Sequence, residues 1–453
     1  MDAFTKLRLQ KTAFGERLAQ ARMRLRLSQE DLAEAIGITA RTVSRWERSN
    51  VIPQQYYLER LAEILLIPLD KLFGADEESQ HSKLLWHIPY ARNSYFTGRE
   101  DILNQLHTKT QTICKHPHIL SGLGGIGKTE IALEYAYRFG NDYQAILWLR
   151  SETPESFRAD YLALADILQV SYTGSADQLS KEEVVKCWFK CHANWLLILD
   201  GLEDLTLLDG MFPRINQGHA LITTRSQITG SLGSPIDVPK MSCVESTLFL
   251  LRRTRILYSD TSLHEIPPAL YTQAETLGKL LDGHPLALDQ AGAYIEESMC
   301  GLSGYLERYA MQRGILLDTR GVAASHHPET VSWTLSFCFR QIEQTSPLAA
   351  DLLRLCAFLP FDPIPEDLLT QNDEFSCAIS QSLSSNPLLL DELVKQLRRF
   401  SLLHREATTR TLHIHRLLQV IIQDKVDDDE RNRWIAYATR IPQFQLEERE
   451  NCS

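Results

Sequence analysis

Between Ser121 and Thr129 the chain reads Ser-Gly-Leu-Gly-Gly-Ile-Gly-Lys-Thr, a run in which the backbone has little side chain to constrain it and great freedom to turn. The apolar His118-Ile119-Leu120 leads into it. Ile131, Ala132, Tyr135 and Ala136 follow at helical spacing, so the pattern predicts a strand, a glycine-rich turn and a helix. Only residues without a Cβ let a main chain wrap closely around an anion, and a helix start offers unpaired N–H groups to it. The spacing G-x-x-x-x-G-K-T over Gly122–Thr129 therefore marks a phosphate cradle, with Gly122, Gly124, Gly125, Ile126, Gly127, Lys128, Thr129 and Glu130 as its candidate residues. Lys128 is expected at the β- and γ-phosphates of ATP or ADP, and the Thr129 hydroxyl at Mg2+.

Such a cradle needs a second strand that brings an acid to the metal. Trp195-Leu196-Leu197-Ile198-Leu199-Asp200 is an apolar run ending in a carboxylate, as a fully buried parallel strand would be, and makes Asp200 the metal-side acid. Ala220-Leu221-Ile222-Thr223-Thr224-Arg225 is a further strand whose Arg225 is placed to sense the terminal phosphate. Ala145–Leu149 adds another. These alternate with helical stretches, which predicts a doubly wound α/β domain with its ligand at the carboxyl ends of the strands. Lys128, Asp200 and Arg225 are the expected catalytic set.

Charge is uneven along the 453 residues. The whole carries 47 Lys and Arg against 58 Asp and Glu, yet residues 1–74 hold 12 against 9 and are net basic, leaving 35 against 49 for the remainder. Nucleic acid contact, if any, belongs to the N-terminal segment. There, Phe14, Leu18, Ala21 and Leu25 share a helical face. Ser28 caps a second helix that carries Leu32, Ala35 and Ile36 inward, Gly37 ends it, and Thr39 starts a third helix with Val43 and Trp46 facing the core. Helix, short turn, helix is a DNA-reading arrangement. Thr39, Ala40, Arg41, Thr42, Ser44 and Arg45 are left to meet double-stranded DNA, with Gln29 directed at its backbone.

Two resemblances extend this reading. Leu27–Ala33, Gly37–Thr39, Val43–Glu47 and Pro53 closely resemble the Cro/cI-type (XRE) helix-turn-helix family. Phe96-Thr97-Gly98-Arg99-Glu100, Ser121–Thr129, Leu196–Asp200, Leu221–Arg225, Gly283-His284-Pro285-Leu286-Ala287-Leu288 and His413–Leu417 stand in the order of motifs of the NB-ARC signalling ATPases, to which residues from Phe96 to His415 are similar. The resemblance implies that Phe96, Gly98 and Arg99 lie beside the adenine, that Pro285 lies against the base, and that His415 binds the ADP β-phosphate. It also implies a multidomain order: helix-turn-helix 1–74, linker 75–92, P-loop NTPase 93–240, helical domain 241–322, winged-helix domain 323–430 and a C-terminal tail 431–453.

The chain departs from that family in two places. The acid that often follows the metal-binding one is replaced by Gly201, with Glu203 and Asp204 the nearest carboxylates, so hydrolysis is expected to be slow. Arg416 stands where the family's Met-His-Asp motif ends in Asp, which alters the closed-state latch. No repeat of the kind that forms a superhelical sensor is found, which leaves three alternatives: the sensor is missing, a sensor protein or ligand is supplied in trans, or the chain is a shortened relative.

Composition excludes other classes. Nine cysteines are too few for a disulfide scaffold, and no apolar run approaches the roughly 20 residues of a membrane helix, so a cytoplasmic protein without membrane contact is expected. Cys187, Cys191 and His192 lack a fourth partner for zinc, and His326-His327 read as a solvated loop. The expected function is a DNA-binding switch, off with ADP and on with ATP, that self-associates in the ATP state and regulates transcription. The alternatives are an adaptor or defence ATPase whose N-terminal module recruits a protein, and an ATPase that does work on DNA.

Overall fold

The computed structural model describes residues 14–15, 18–23, 27–48, 53, 55–65, 85–110, 116–168, 180–208, 217–233, 235–257, 266–321, 329–359, 363–370 and 378–439. Leu25, His326 and His327 lie outside them. The chain divides into two compact units, residues 1–84 and 85–453.

In the first unit, helices α1 (Gln29–Ile36), α2 (Ala40–Arg48) and α3 (Gln55–Leu65) join a preceding helical segment at 18–23. The predicted caps form. Ser28 Oγ accepts from Asp31 N at 3.0 Å while the Asp31 carboxylate takes Ser28 N at 2.7 Å, and Gly37 closes α1 in the left-handed conformation at φ +81°. Phe14, Leu18, Leu32, Ile36, Val43, Trp46, Leu61 and Leu65 share one core. Ala33 occupies the inward position and Ala35 is exposed, on the opposite side of α1 from the face expected for it. Under the core edge, Arg22 and Glu47 form a bidentate pair at 2.7 and 3.2 Å. Gln29 Nε2 donates to the same carboxylate at 2.6 Å, so its amide is tied to α2 rather than directed at a DNA backbone.

In the second unit a six-stranded sheet has the order β1-β3-β4-β5-β2-β6, with every pairing parallel. Its strands are β1 (Leu85–His87), β2 (His118–Ser121), β3 (Ala145–Arg150), β4 (Trp195–Asp200), β5 (His219–Thr224) and β6 (Ile236–Asp237). Leu85 pairs with Ala145, so the linker expected over 75–92 gives way to an edge strand by residue 85. Every residue of β2 and β4 is buried, as strands covered on both faces require. Alternation divides the sheet: Leu147, Leu149, Leu197 and Leu199 pack with Phe157 and Tyr161 of α5 (Pro154–Ile167) and Val185 and Phe189 of α6 (Lys181–Cys191). Before these in the chain come α4 (Glu100–Thr110) and the helix that opens at the glycine-rich turn, here αP (Lys128–Phe139).

Beyond the sheet the unit is helical: α7 (Cys243–Arg253), α8 (Pro268–Leu280), α9 (Pro285–Ser298), α10 (Gly301–Asp318), α11 (Val331–Thr345), α12 (Pro347–Phe358), α13 (Pro387–Arg398), α14 (Arg416–Lys425) and α15 (Asp428–Thr439), with two shorter helices at Asp367–Thr370 and Ala378–Ser385. A three-stranded antiparallel sheet, β7 (Ile364–Pro365), β9 (Thr411–His413) and β8 (His404–Glu406) in that order, lies among the later helices. β8 and β9 form a hairpin, His404 pairing with His413 and Glu406 with Thr411. No helix among the described residues is long and apolar enough to cross a membrane.

Candidate functional site

The turn that leaves β2 runs under the first residues of α9. Gly125 stands at φ +76°, where a Cβ would lie 2.8 Å from both His284 Cε1 and Leu286 Cδ2, and Leu286 N donates to Gly125 O at 3.2 Å. A side chain there would separate the two elements, so glycine serves contact as much as conformation. Gly127, at φ +96°, precedes αP and faces Pro285. Thr334 and Cys338 of α11 lie over Gly124 from the other side.

Lys128 Nζ donates to Gly122 O at 2.7 Å and Leu123 O at 2.9 Å, curled onto the turn it follows. Burial, and then the positive charge of Arg225, push its ammonium down to about 8. Opposite, Thr129 Oγ1 and Thr223 Oγ1 both donate to Asp200 Oδ1, at 2.8 and 2.6 Å. Burial pushes the Asp200 carboxyl up against these hydrogen bonds, a cost that a cation would offset. Arg225 completes the rim: its backbone N–H donates to Glu203 at 3.1 Å and its guanidinium to Cys338 Sγ at 3.4 Å.

Two histidines extend the site. His284 is wholly buried and its Nε2 lies 3.0 Å from Gly124 O; a carbonyl only accepts, so Nε2 carries the proton and Nδ1 is a buried acceptor with no partner among the described residues. His415 stacks edge-on to it at 5.2 Å, between ring centres. His415 Nδ1 lies 3.2 Å from Leu417 N, while the buried Nε2 has no partner among the described residues. A buried imidazole nitrogen left without a partner is a group that a phosphate oxygen would satisfy when the nitrogen carries the proton.

Asp282 faces His415 Nδ1 at 3.2 Å, accepts from Arg416 N at 3.1 Å and pairs with Lys240 at 2.5 Å. The carboxylate missing from position 416 is thus supplied by a residue from the far end of α8, a contact with no local sequence signal. Neither Asp282 nor His284 was among the residues expected from spacing; a histidine within Gly-His-Pro was the available hint.

The remaining expected residues divide. Arg99 is buried, reaches Ile126 O at 3.4 Å and Lys240 O at 3.3 Å, and receives Glu245 on its backbone N–H, so it braces the turn. Gly98 packs under the Glu245 carboxylate. Phe96 lies under Arg138, toward the distal end of αP, and Glu130 is held by Asn93 Nδ2 at 2.9 Å. On the other unit, Thr39, Arg41 and Arg45 are exposed, Ala40, Thr42 and Ser44 half-buried, and Thr39 Oγ1 meets Thr42 Oγ1 at 2.9 Å. Cys187, Cys191 and His192 gather no metal set among the described residues; His192 Nδ1 instead meets Trp188 O.

The buried neutral histidines make stability depend on pH. Burial holds His118 down to about 4, His415 to about 3 and His284 well below its ordinary value. The unfolded chain binds protons that the folded chain refuses, so their contribution is whole above pH ~6.5 and is lost as pH falls toward those lower values. Melting temperature is expected to decline progressively below pH ~6.5, with His415→Gln removing part of the slope; a profile flat to pH ~4.5 would contradict this.

A parallel sheet, a glycine-rich turn opening a helix and a buried acid two strands away define an α/β domain of the P-loop NTPase type, joined to a helical C-terminal region and headed by a helix-turn-helix. Residues 18–72 match the helix-turn-helix family. Residues 340–431 match a domain of unknown function (DUF7779). Over 333 residues, 65% of this chain, the protein is 27% identical to a nucleotide-binding leucine-rich repeat (NLR)-like protein of Hyaloscypha variabilis and spans 32% of its length. Among solved structures it is similar to a Walker-type ATPase of Pyrococcus abyssi, with TM-score 0.47 and 13% identity over 75% of this chain and 99% of that one. Another is a signal transduction ATPase with numerous domains and a tetratricopeptide repeat sensor from Pyrococcus horikoshii, with TM-score 0.32 and 18% identity over 77% and 45%.

Proposed function

We propose that the protein is a nucleotide-gated DNA-binding switch: ADP holds residues 93–430 closed around the glycine-rich turn, and ATP releases them. The residues present fit a magnesium nucleotide. Gly122–Thr129 would cradle its phosphates, Lys128 would face the β- and γ-groups, and Thr129 with Asp200 would hold Mg2+, which neutralises phosphate charge when bound. The observation that carries the reading is the chain Gly124–His284–His415, which ends in a buried imidazole nitrogen with no partner among the described residues. It brings residues distant in sequence to the glycine-rich turn, and favours His415 as a ligand of the β-phosphate.

Residues 323–430 are read as the winged-helix part, on the three-stranded sheet and the helices that flank it. Turning a closed:open balance of 99:1 into its reverse needs about 5.5 kcal/mol of differential binding. Opened subunits that self-associate would bring several helix-turn-helix heads to one DNA, raising avidity by about 10²–10⁴. Light scattering tests this: one chain per particle with ADP and a multiple with a non-hydrolysable ATP analogue are expected, and an unchanged mass would overturn the gating.

Double-stranded DNA as the partner rests on the exposed Arg41 and Arg45 of α2. Arg41→Ala with Arg45→Ala is expected to weaken DNA binding at least about tenfold and to lower its salt slope by about 2, each arginine representing one phosphate or base contact. Titration at several salt concentrations measures both. Unaltered affinity would favour a protein partner for this unit.

A further inference from the structure

The residue after Asp200 is Gly201, so no second acid follows Asp200 at the end of β4. The neighbouring strand fills the space. Arg150 of β3 pairs with Asp200 of β4, and Ser151 N donates to Asp200 O at 2.7 Å, so the chain leaves β3 alongside the metal-side acid. The next residue, Glu152, turns its side chain across Gly201: a Cβ at 201 would come within 2.6 Å of Glu152 Cγ and 3.6 Å of Oε1. Gly201 stands at φ +77° and donates its N–H to Thr223 Oγ1 at 2.8 Å, the same hydroxyl that binds Asp200. A side chain at 201 and the present course of Glu152 therefore exclude one another.

The two carboxylates nearest in sequence are otherwise engaged. Asp204 Oδ1 takes the N–H and hydroxyl of Thr206, closing its own turn. Glu203 Oε1 takes Arg225 N and lies 3.7 Å from its guanidinium. Among the described residues no ion pair or hydrogen bond holds the Glu152 carboxylate, which is exposed beside Asp200.

We propose that Glu152 is the carboxylate that activates water for ATP hydrolysis in this chain, delivered from β3 into the place a side chain at 201 would hold. It takes a proton from a water whose oxygen bonds to the γ-phosphorus as the β,γ-bridging oxygen departs with ADP. The proposal rests on reading the glycine-rich turn as an ATP site.

Glu152→Gln keeps size and polarity and removes the basic oxygen. In the full chain, phosphate release is expected to fall at least about 100-fold, the usual size of a lost general base, while the affinity for a fluorescent ATP analogue stays within about threefold. After incubation with ATP and removal of free nucleotide, the wild type is expected to retain ADP and Glu152→Gln to retain ATP. Unchanged turnover with unchanged affinity overturns the assignment, as does loss of turnover in Glu203→Gln with turnover intact in Glu152→Gln. A wild type that binds no ATP overturns the nucleotide site itself and this proposal with it.

Discussion

Lys128→Ala is expected to lower affinity for ADP and ATP at least about 100-fold while leaving DNA binding by the first unit unchanged. Lys128 Nζ spends its hydrogen bonds on Gly122 O and Leu123 O, the carbonyls of the turn that would enclose the phosphates. Swinging onto a polyphosphate exchanges two neutral acceptors for charged ones, each such bond contributing about 1.5–3 kcal/mol. Two of them reach the hundredfold range. The cost to folding is small, because the ammonium is held at about 8 by a site that disfavours its charge and alanine removes that strain. Nucleotide titration beside a DNA-binding titration of the same variant checks both halves; joint loss would show that the two units do not act separately.

Glu47→Ala is expected to destabilise the helix-turn-helix by about 3–5 kcal/mol. Arg22 is 8% exposed, and its guanidinium is neutralised by Glu47 on one side while Nη1 donates to Leu27 O at 2.7 Å. Removing the carboxylate leaves a buried cation unpaired and Gln29 without its acceptor, the situation in which a broken buried pair is costly. Against a typical total of 5–15 kcal/mol this approaches unfolding of the unit. Hydrogen exchange of residues 27–48 in the full chain would rise accordingly, and DNA binding would fall with it. Arg22→Met combined with Glu47→Leu should recover much of the loss, since no charge is then stranded. Protection unchanged in Glu47→Ala would contradict the account of this clamp.

How far the sequence reveals this molecule depends on the range of the interaction involved. Features set by neighbours along the chain are visible in it. The Ser28 cap, the Gly37 stop, the buried run Trp195–Asp200 and the strand, turn and helix around Lys128 all follow from local sterics and periodicity. Ala33 and Ala35 lie about 200° apart around α1, and two small side chains give the spacing no bulky residue by which to choose the inward one. Leu85–His87 gives no alternation to read; it is a strand because Ala145–Leu147 offers it an edge.

The site itself is half visible. Glycines, Lys128 and Asp200 announce themselves by spacing, since the chemistry demands those residue types at fixed offsets. Asp282 beside His415, Cys338 beside Arg225 and Glu152 across Gly201 are brought together only by tertiary folding, each pair joining segments with no mutual signal. Phe96, expected beside the adenine, packs its ring under Arg138.

Calorimetric titration of magnesium ADP into protein stripped of nucleotide bears most directly on whether the turn around Lys128 grips a nucleotide. One site per chain is predicted, with affinity that falls in His415→Ala, where the buried imidazole is gone. No measurable heat or saturation at millimolar ADP would contradict it, and would leave only the helix-turn-helix standing.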